Sequence, residues 1–480
     1  MSLIKGFLII NGSKVFDSGD TIPIINPATE EIIGEVPSAG KEHLCSAVKS
    51  AHESFSGWAK EKPKTRAKIL HKAAEKVREE SERISKVLTL EQGKPLKEAR
   101  GEVSAAADVL DFYAEESLRV RGINYWMDSA NIKSQVIYQP LGVVGAVTPF
   151  NYPVSLTAFK VAPALAAGNA LIVKPSSLTP LSVMYYLNCI VESGLPEGVL
   201  NFITGPGPTI VEQFLNDPAI KKISFTGSTE NGRKIMSSAG KFLKKVTLEL
   251  GGNSPALIFK DTDIESAVND CIYRSFRNMG QVCNSINRIY VEKDIIEEFT
   301  EIFIQRTKNL IIGDGIENPD ADLGPMISKD GVEKTKSHIK DALSKGAVLK
   351  YGGKKPSGFN NGFFFEPSVI TKTDHSMKIM KEETFGPVAP IMSFKDLDEA
   401  IMLANDSDYG LVGYVYTKDL SKAIHISENL QFGTVSINNI IGAEMGYPYS
   451  GWKHSGMGVE MSEHAIYEYM NIKHIRIKTV

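Results

Sequence analysis

The sequence predicts an α/β protein built on parallel sheets. From Leu141 onward, short apolar runs alternate with helical stretches, which is typical of successive β-α-β units. Several of these stretches begin with proline, a residue favoured at the first helical position. At about 150 residues per domain, 480 residues with 42% hydrophobic content allow several domains, and we expect two.

The N-terminal part carries two recognisable elements. Phe7 to Ile10 is an apolar run that leads into Asn11-Gly12, which predicts a β-hairpin. That run is too short for a signal peptide or a membrane span. From Lys64 to Leu90 the apolar residues recur with helical period, and we expect one long amphipathic helix.

The central part supplies the β-α-β series, and its sheet should be parallel and covered by helices on both faces. The predicted strands are Val143 to Val147, Leu171 to Val173, Leu200 to Ile203, Lys222 to Phe225 and Val246 to Leu250. The predicted helices are Pro153 to Ala167, Pro180 to Ser193, Pro208 to Asn216 and Thr229 to Ala239.

A second α/β region follows from Gly252 to Asn438, with a helix at Ile295 to Asn309 and a strand at Pro387 to Phe394. Two further segments, Ile132 to Tyr138 and Ile472 to Lys478, alternate apolar and polar residues as exposed strands do. Such strands need a partner edge, so we expect pairing across subunits. The alternative is a surface hairpin within one chain.

Composition excludes several classes of partner. The 54 basic and 57 acidic residues leave a net charge of -3, which exerts no broad attraction toward nucleic acid or an anionic membrane. The four cysteines lack the spacing of a disulfide framework or a metal site. We therefore expect free thiols, no metal, and a cytoplasmic protein that acts on a small molecule.

Polar and glycine residues follow four of the predicted strands, at the edge where open α/β sheets bind ligands. These junctions are Thr148 to Asn151, Lys174 to Ser177, Thr204 to Gly207 and Phe225 to Ser228. The stretch Gly227 to Gly232 is not a P-loop, because Arg233 follows it. Either a helix N-terminus approaches a phosphate here, or this is an ordinary glycine turn.

Two residues are candidates for catalysis. Cys283 lies among small and amide side chains, whereas Cys45, Cys189 and Cys271 have contexts that predict packing roles. Glu249 interrupts an apolar run that ends at two glycines. Burial would raise the pKa of this carboxyl toward the range of a general base, although an internal salt bridge would explain the same residue.

Ordered motifs along nearly the whole chain resemble the aldehyde dehydrogenase superfamily. Cys283 follows Glu249 by 34 residues, and both stand in strings similar to the family's. The strings are PFNYP (149–153), KPSSLTP (174–180), FTGSTENG (225–232), LELGGNSP (248–255), GQVC (280–283), EETFGPV (382–388) and SGMGVE (455–460).

This resemblance implies the aldehyde dehydrogenase fold: a Rossmann-like cofactor-binding domain, an α/β catalytic domain and a small β oligomerisation arm. The cofactor-binding domain would comprise residues 1–120 and 140–251, with a return at 441–465. The catalytic domain would span 252–440. The oligomerisation strands would be 121–139 and 466–480, in a homodimer or homotetramer.

The resemblance also implies a reaction. Cys283 would attack an aldehyde carbon as a thiolate, and the amide of Asn151 with the backbone N–H of Cys283 would hold the oxyanion. Glu249 would activate the water that hydrolyses the resulting thioester. Glu460 corresponds to a second acidic position in the family.

Cofactor contacts carried over in the same way involve the strand junctions and the EETFGPV string. They are Pro149, Lys174, Ser177, Gly207, Phe225, Thr226, Gly227, Ser228, Leu250, Glu383 and Phe385. Members that prefer NAD often have glutamate where this chain has Ser177. A carboxylate facing a 2′-phosphate would cost roughly 1 to 4 kcal/mol at about 4 Å, so its absence favours NADP, with NAD also accepted.

The substrate is less defined than the reaction. Arg119 and Tyr152 resemble residues that contact phosphate in the non-phosphorylating glyceraldehyde-3-phosphate dehydrogenases, yet those usually have arginine where this chain has Val282. Succinic semialdehyde and some lactaldehyde enzymes have arginine where this chain has Phe159. Lactaldehyde, glyceraldehyde, succinic semialdehyde and glyceraldehyde 3-phosphate stay open, and Arg119 could pair with a glutamate on its own helix.

Three other functions predict different residues at these positions. A CoA-acylating semialdehyde dehydrogenase would generally lack glutamate at position 249. A Cys-His hydrolase would need a histidine beside Cys283, and no histidine stands in a recognisable catalytic motif. A non-catalytic structural member, similar to a lens crystallin, would be expected to lose Cys283 or Glu249, and both are present.

Overall fold

The computed structural model describes residues 3–128 and 131–478. Parts of three predicted ranges, at 1–2, 129–130 and 479–480, lie outside the described residues.

The strands follow one another along the described chain as β1 (Ile4–Lys5), β2 (Leu8–Ile10), β3 (Ser13–Val15), β4 (Asp20–Ile25), β5 (Ile32–Ser38), β6 (Ile123–Tyr125), β7 (Ile132–Pro140), β8 (Val143–Val147), β9 (Ala170–Lys174), β10 (Leu200–Phe202), β11 (Ile220–Thr226), β12 (Lys245–Glu249), β13 (Ser254–Ile258), β14 (Ile286–Glu292), β15 (Val348–Tyr351), β16 (Ser368–Thr371), β17 (Val388–Phe394), β18 (Tyr409–Gly410), β19 (Val412–Tyr416), β20 (Thr434–Ile437), β21 (Trp452–Lys453), β22 (Gly456–Met457) and β23 (Met470–Lys478).

The helices are α1 (Lys41–Lys60), α2 (Pro63–Glu79), α3 (Ser81–Gln92), α4 (Leu96–Ser117), α5 (Pro153–Ala167), α6 (Pro180–Val191), α7 (Gly207–Asn216), α8 (Thr229–Lys241), α9 (Ile264–Phe276), α10 (Ile296–Lys308), α11 (Lys329–Ser344), α12 (Lys378–Lys381), α13 (Leu397–Asn405), α14 (Leu420–Asn429) and α15 (Glu463–Tyr467). Short 3-10 turns cover Arg277–Gly280 and Lys293–Ile295. Among the described residues, no helix is long and apolar enough to cross a membrane.

An eight-stranded sheet carries the predicted β-α-β series, in the order β22-β12-β11-β8-β9-β10-β2-β3. The five strands from β12 to β10 are parallel, as expected. The prediction of a wholly parallel sheet is wrong at both ends, because β2, β3 and β22 pair antiparallel. β2 and β3 form the predicted N-terminal hairpin.

Helices cover both faces of this sheet. Val144 and Leu171 belong to a core shared with α2 to α6, whereas their neighbours Val143 and Ile172 belong to a core shared with α1, α7 and α8. Alternate residues of a strand point to opposite faces, so apolar strands of this kind bury both sides. The prediction of a doubly covered sheet is confirmed.

The predicted helix from Lys64 to Leu90 is two helices. α2 ends at Glu79 and α3 begins at Ser81, and Glu80 between them has φ -88° and ψ 3°, outside the helical range. Apolar side chains at Val77 and Ile84 are buried on the same core, which explains why the period continues across the break.

A second sheet of seven strands, in the order β15-β16-β17-β14-β13-β19-β20, lies in the later α/β region, with its own core. A third sheet joins β23, β7 and β6. β7 and β23 pair antiparallel along their whole length, from Met470 opposite Pro140 to Lys478 opposite Ile132. The two exposed strands thus pair with each other inside one chain, which is closer to the alternative interpretation, although they are distant in sequence and do not form a local hairpin. Because β23 is the end strand of this sheet among the described residues, its outer edge is open, and pairing across subunits stays a prediction.

Candidate active site

The site lies at the carboxyl edge of the eight-stranded sheet. Val147 is opposite Lys174 on one side and Phe225 on the other, and Thr226 is opposite Glu249. Because these parallel strands end in register, the loops that follow them lie side by side.

A cavity of about 380 Å³ opens at this edge, and Cys283 lines it. Most residues predicted from the strand junctions and from the EETFGPV string line it as well. They are Pro149, Asn151, Phe225, Thr226, Gly227, Ser228, Leu250, Glu383 and Phe385.

Cys283 is the half-buried cysteine of the chain. Its Sγ lies 3.5 Å from the hydroxyl of Tyr449. Burial raises the pKa of the Cys283 thiol to about 12, and the carboxylates of Glu249 and Glu383 act in the same direction. These surroundings favour the thiol over the thiolate, so activation of Cys283 requires a group that stabilises the thiolate.

The other cysteines differ in access. Cys189 and Cys271 are buried, as predicted, and burial raises the pKa of Cys189 to about 12. The prediction that Cys45 has a packing role is wrong, because Cys45 is exposed on α1. It lies on the polar side of an amphipathic helix, where the sequence period does not mark a small residue as inside or outside.

The chain reaches Cys283 through an unusual backbone segment. Asn278, Met279 and Gly280 have φ values of 49°, 59° and 67°, in the left-handed region. A side chain at Gly280 would lie 2.3 Å from the carbonyl oxygen of Gly386. Asn and Met rarely adopt this backbone conformation, and it persists only where the neighbouring structure enforces it.

Hydrogen bonds fix both the side chain and the backbone carbonyl of Asn151. Its side-chain Nδ2 donates to the carbonyl of Gln281 at 3.0 Å, and its own carbonyl accepts from Nζ of Lys94 at 2.7 Å and from Nδ2 of Asn278 at 3.2 Å. An amide group has two N–H bonds, so one remains for an oxygen atom at the cavity.

Lys94 and Glu102 form a buried ion pair behind Asn151, with 2.5 Å between Nζ and Oε2. Glu102 also accepts from the backbone N–H of Val154 at 2.9 Å, at the first turn of α5. The sequence did not predict either residue as part of the site. Both lie outside the four strand junctions and outside the strings that resemble the family.

Glu249 is buried at the end of β12 and lines neither of the two cavities described in this section. Burial raises the pKa of its carboxyl well above the usual range, the nearby Glu460 carboxylate adds to this, and Lys160 opposes it. Lys160 pairs with Glu460 at 2.6 Å. The salt bridge foreseen as an alternative for Glu249 is thus made by its neighbour Glu460.

The two glycines after Glu249 allow close packing. A side chain at Gly252 would lie 2.0 Å from the carbonyl oxygen of Cys283, and one at Gly251 would lie 2.6 Å from Oε2 of Glu383. The backbone N–H of Gly252 donates to Oε1 of Glu383 at 2.9 Å. Burial raises the pKa of Glu383 to about 7.

Phe385, on the other side of the cavity, has a left-handed backbone with φ 55°. Its ring packs edge-on against Phe150, with centroids 5.8 Å apart. Ser228 accepts from the N–H of Asn231 at 3.4 Å and caps α8. The hydroxyl of Thr226 is buried without a hydrogen-bond partner in the described part of the chain.

A second cavity of about 640 Å³ lies beside α7 and α8, lined by Lys174, Gly207 and Phe225 among others. Burial lowers the pKa of Lys174 to about 8. Its Nζ lies 3.6 Å from the place that a side chain at Gly207 would take. The hydroxyl of Ser177 donates to the carbonyl of Gly205 at 3.4 Å.

Arg119 and Tyr152, the predicted substrate contacts, line neither cavity. Arg119 pairs with Glu116 at 2.8 Å and with Glu115 at 3.6 Å, as the alternative interpretation foresaw. The hydroxyl of Tyr152 donates to Glu98, and Nζ of Lys94 lies 3.6 Å from its ring centre.

Residues 3–128 and 131–478 show neither the arrangement of a Cys-His hydrolase nor that of a metal site. No histidine there hydrogen-bonds to Cys283, and no cluster of three or more metal-ligating side chains is placed to hold an ion.

Comparison with known proteins identifies the family. The model of the aldehyde dehydrogenase family matches residues 15–475. The NADP(+)-dependent succinate-semialdehyde dehydrogenase of Escherichia coli K12 is 39% identical over 99% of this chain and 98% of its own length. The 3-sulfolactaldehyde dehydrogenase of Pseudomonas putida is 39% identical over 99% and 97%.

Solved structures agree. An aldehyde dehydrogenase from Brucella melitensis biovar abortus 2308 superposes with a TM-score of 0.97 at 39% identity, covering 100% of both chains. Betaine aldehyde dehydrogenase from Staphylococcus aureus, in complex with NAD+, has a TM-score of 0.96 at 36% identity, covering 99% of this chain and 95% of its own. The chain therefore belongs to the aldehyde dehydrogenase family.

Proposed function

We propose that this protein oxidises a short anionic or hydroxylated aldehyde to the carboxylic acid, with NADP as the preferred hydride acceptor. The observation that carries the proposal is a half-buried Cys283 on a cavity that Asn151 and Glu383 also line, with the buried carboxyl of Glu249 close enough to raise the pKa of the thiol.

Cys283 is the nucleophile: its thiol releases its proton to solvent through the open cavity, and the sulfur then forms a bond to the aldehyde carbon. The free N–H of Asn151 and the backbone N–H of Cys283 stabilise the oxyanion that forms. When bound, the dinucleotide supplies the acceptor for the hydride of the former aldehyde carbon. The thioester that remains on Cys283 is hydrolysed by a water that Glu249 deprotonates, and its raised pKa suits this role.

Several features fit a bound dinucleotide. The Lys174 ammonium has no hydrogen-bond or ion-pair partner in the described part of the chain, although it is buried. The unpaired hydroxyl of Thr226 lies on the cavity, and side chains at Gly227 and Gly251 would clash with Phe225 and Glu383. An unpaired buried cation favours an anionic ligand, and Ser177 adds no opposing carboxylate, which supports NADP with NAD also accepted.

The aldehyde class is supported by the names of relatives. One relative is described as acting on succinate semialdehyde and another on 3-sulfolactaldehyde, two short aldehydes with an anionic end. The proposal that Arg119 and Tyr152 contact a substrate phosphate gains no support from the structure. Arg119 is paired with Glu116, and the hydroxyl of Tyr152 donates to Glu98.

The domain division, location and assembly are part of the same proposal. The eight-stranded sheet draws strands from 8–15, 143–249 and 456–457, which supports a cofactor-binding domain of 1–120 and 140–251 with a return at 441–465. The seven-stranded sheet lies within 252–440. Four unbonded cysteines support a cytoplasmic location, and the three-stranded sheet of β6, β7 and β23 supports a homodimer or homotetramer.

The test is a panel of short aldehydes assayed with NADP and with NAD, in which the reduced cofactor is followed by absorbance. We expect turnover with an anionic or hydroxylated aldehyde and a higher kcat/KM with NADP. Cys283→Ser should abolish turnover, and Glu249→Gln should slow it strongly while leaving a first burst of reduced cofactor. Unchanged turnover in Cys283→Ser, or a strong NAD preference, would contradict the respective part of the proposal.

A further inference from the structure

The phenol of Tyr449 is in direct contact with the sulfur of Cys283. The two atoms are 3.5 Å apart, within hydrogen-bond distance for sulfur. The tyrosine is buried, and its hydroxyl makes no other hydrogen bond in the described part of the chain. The hydroxyl is therefore a polar group whose partner is the nucleophile.

The backbone fixes this contact. The N–H of Tyr449 donates to the carbonyl of Glu460 at 3.1 Å, and the N–H of Glu460 donates to the carbonyl of Tyr449 at 2.9 Å. The same short antiparallel bridge therefore holds the phenol against Cys283 and carries the carboxylate that faces Lys160 and Glu249.

We propose that Tyr449 is a further catalytic residue, whose hydroxyl donates a hydrogen bond to Sγ of Cys283 and stabilises the thiolate that attacks the aldehyde. This inference rests on the proposed function. The phenol keeps its proton throughout, so no additional proton transfer enters the reaction.

The electrostatic setting supports the direction of the bond. Burial raises the pKa of Tyr449 well above its usual value, and the charges of Cys283 and Glu249 add to this, so the phenol stays protonated. The titratable groups that act on the sulfur or are acted on by it are Glu249, Glu383, Tyr414 and Tyr449. The two carboxylates oppose a thiolate, whereas the hydrogen bond from Tyr449 lowers the pKa of Cys283.

The test is Tyr449→Phe, which removes the hydroxyl and keeps the ring. Alkylation of Cys283 by iodoacetamide is followed at mildly alkaline pH, without cofactor or aldehyde, by mass spectrometry of the peptide that contains Cys283. Because only this peptide is measured, alkylation of the exposed Cys45 does not contribute to the rate. We expect the rate to fall about tenfold, because a hydrogen bond to a charged group changes the thiolate fraction by at least that factor. The kcat/KM for the aldehyde should fall similarly, with KM for the cofactor unchanged.

The matched control is Tyr416→Phe. Its hydroxyl is also in a buried tyrosine but donates to Asp270 at 3.1 Å, so neither alkylation nor turnover should change. Circular dichroism and Tm verify that both variants fold. Alkylation of Cys283 in Tyr449→Phe that is as fast as in the wild type, or faster, would overturn the inference. Absence of turnover in the wild type would instead contradict the proposed function, since alkylation requires no substrate.

Discussion

Lys174 is a buried ammonium without a counter-ion in the described part of the chain, and it lines the larger cavity beside α7 and α8. Burial lowers its pKa to about 8, so in the free protein its positive charge is lost as the pH rises through that value. An anionic ligand binds the charged form. We therefore expect the Kd for NADP to increase above pH 8, measured by fluorescence titration from neutral to alkaline pH.

The control for this prediction is Lys174→Arg. A guanidinium stays protonated across the same range, so the Kd of this variant should not change with pH. Wild-type protein whose Kd stays as constant as that of the variant would show that Lys174 does not meet the cofactor's phosphate.

Residue types and their local context were enough to single out Cys283 and to predict the burial of Glu249, whereas the role of Asn151 was carried over from the resemblance to the family. They were not enough for Tyr449, because its role depends on a contact 166 residues away along the chain. Lys94 was missed for the same reason: its bond to the carbonyl of Asn151 spans 57 residues. A residue that acts by contacting a catalytic residue distant in sequence is not marked by a local sequence motif.

At the scale of elements, the turn after β12 sets the distance between the sheet and Cys283. A side chain at Gly252 would lie 2.0 Å from the carbonyl oxygen of Cys283, so Gly252→Ala has to displace that backbone. A shift of about 1 Å at a catalytic group costs roughly a hundredfold in rate, and we expect that loss in kcat/KM.

The matched control is Gly57→Ala, in the exposed face of α1, where a side chain would meet no atom within 4 Å. Activity should be unchanged, and the free energy of unfolding should increase by about 0.5–1 kcal/mol, because alanine has less conformational entropy to lose in a helix. Full activity in Gly252→Ala would show that this turn does not position the sulfur.

The period of apolar residues predicted the elements of the β-α-β series well, since each strand or helix has to bury a face. It did not locate the break at Glu80, because the buried positions continue in phase through α2 and α3. The sequence also did not indicate that the N-terminal hairpin and β22 join the two edges of this sheet. β22 comes from residues 456–457 and joins β12 across most of the later α/β region, a pairing that no local pattern indicates.

At the scale of the whole molecule, the three-stranded sheet and the residue that follows β6 present apolar side chains to solvent. Trp126 is fully exposed, and Tyr125 and Ile472 are more than half exposed. We expect this surface to be buried between subunits, so that Trp126→Asp lowers the molar mass measured by light scattering.

Leu420→Asp is the control, because Leu420 is 73% exposed at the start of α14, where aspartate suits a helix N-terminus. Its molar mass should equal that of the wild type. A wild-type monomer, or an unchanged mass in Trp126→Asp, would contradict the proposed assembly. The sequence indicated these exposed strands but left open whether they pair across subunits or within one chain, because alternation defines a face and not a partner.

The central claim is that Cys283 carries the acyl group between oxidation and hydrolysis. Its most direct test is mass spectrometry of Glu249→Gln quenched soon after it is mixed with NADP and a substrate aldehyde. We predict an acyl adduct on the peptide that contains Cys283, in an amount equal to the burst of reduced cofactor. A burst without an adduct on that peptide would contradict the account.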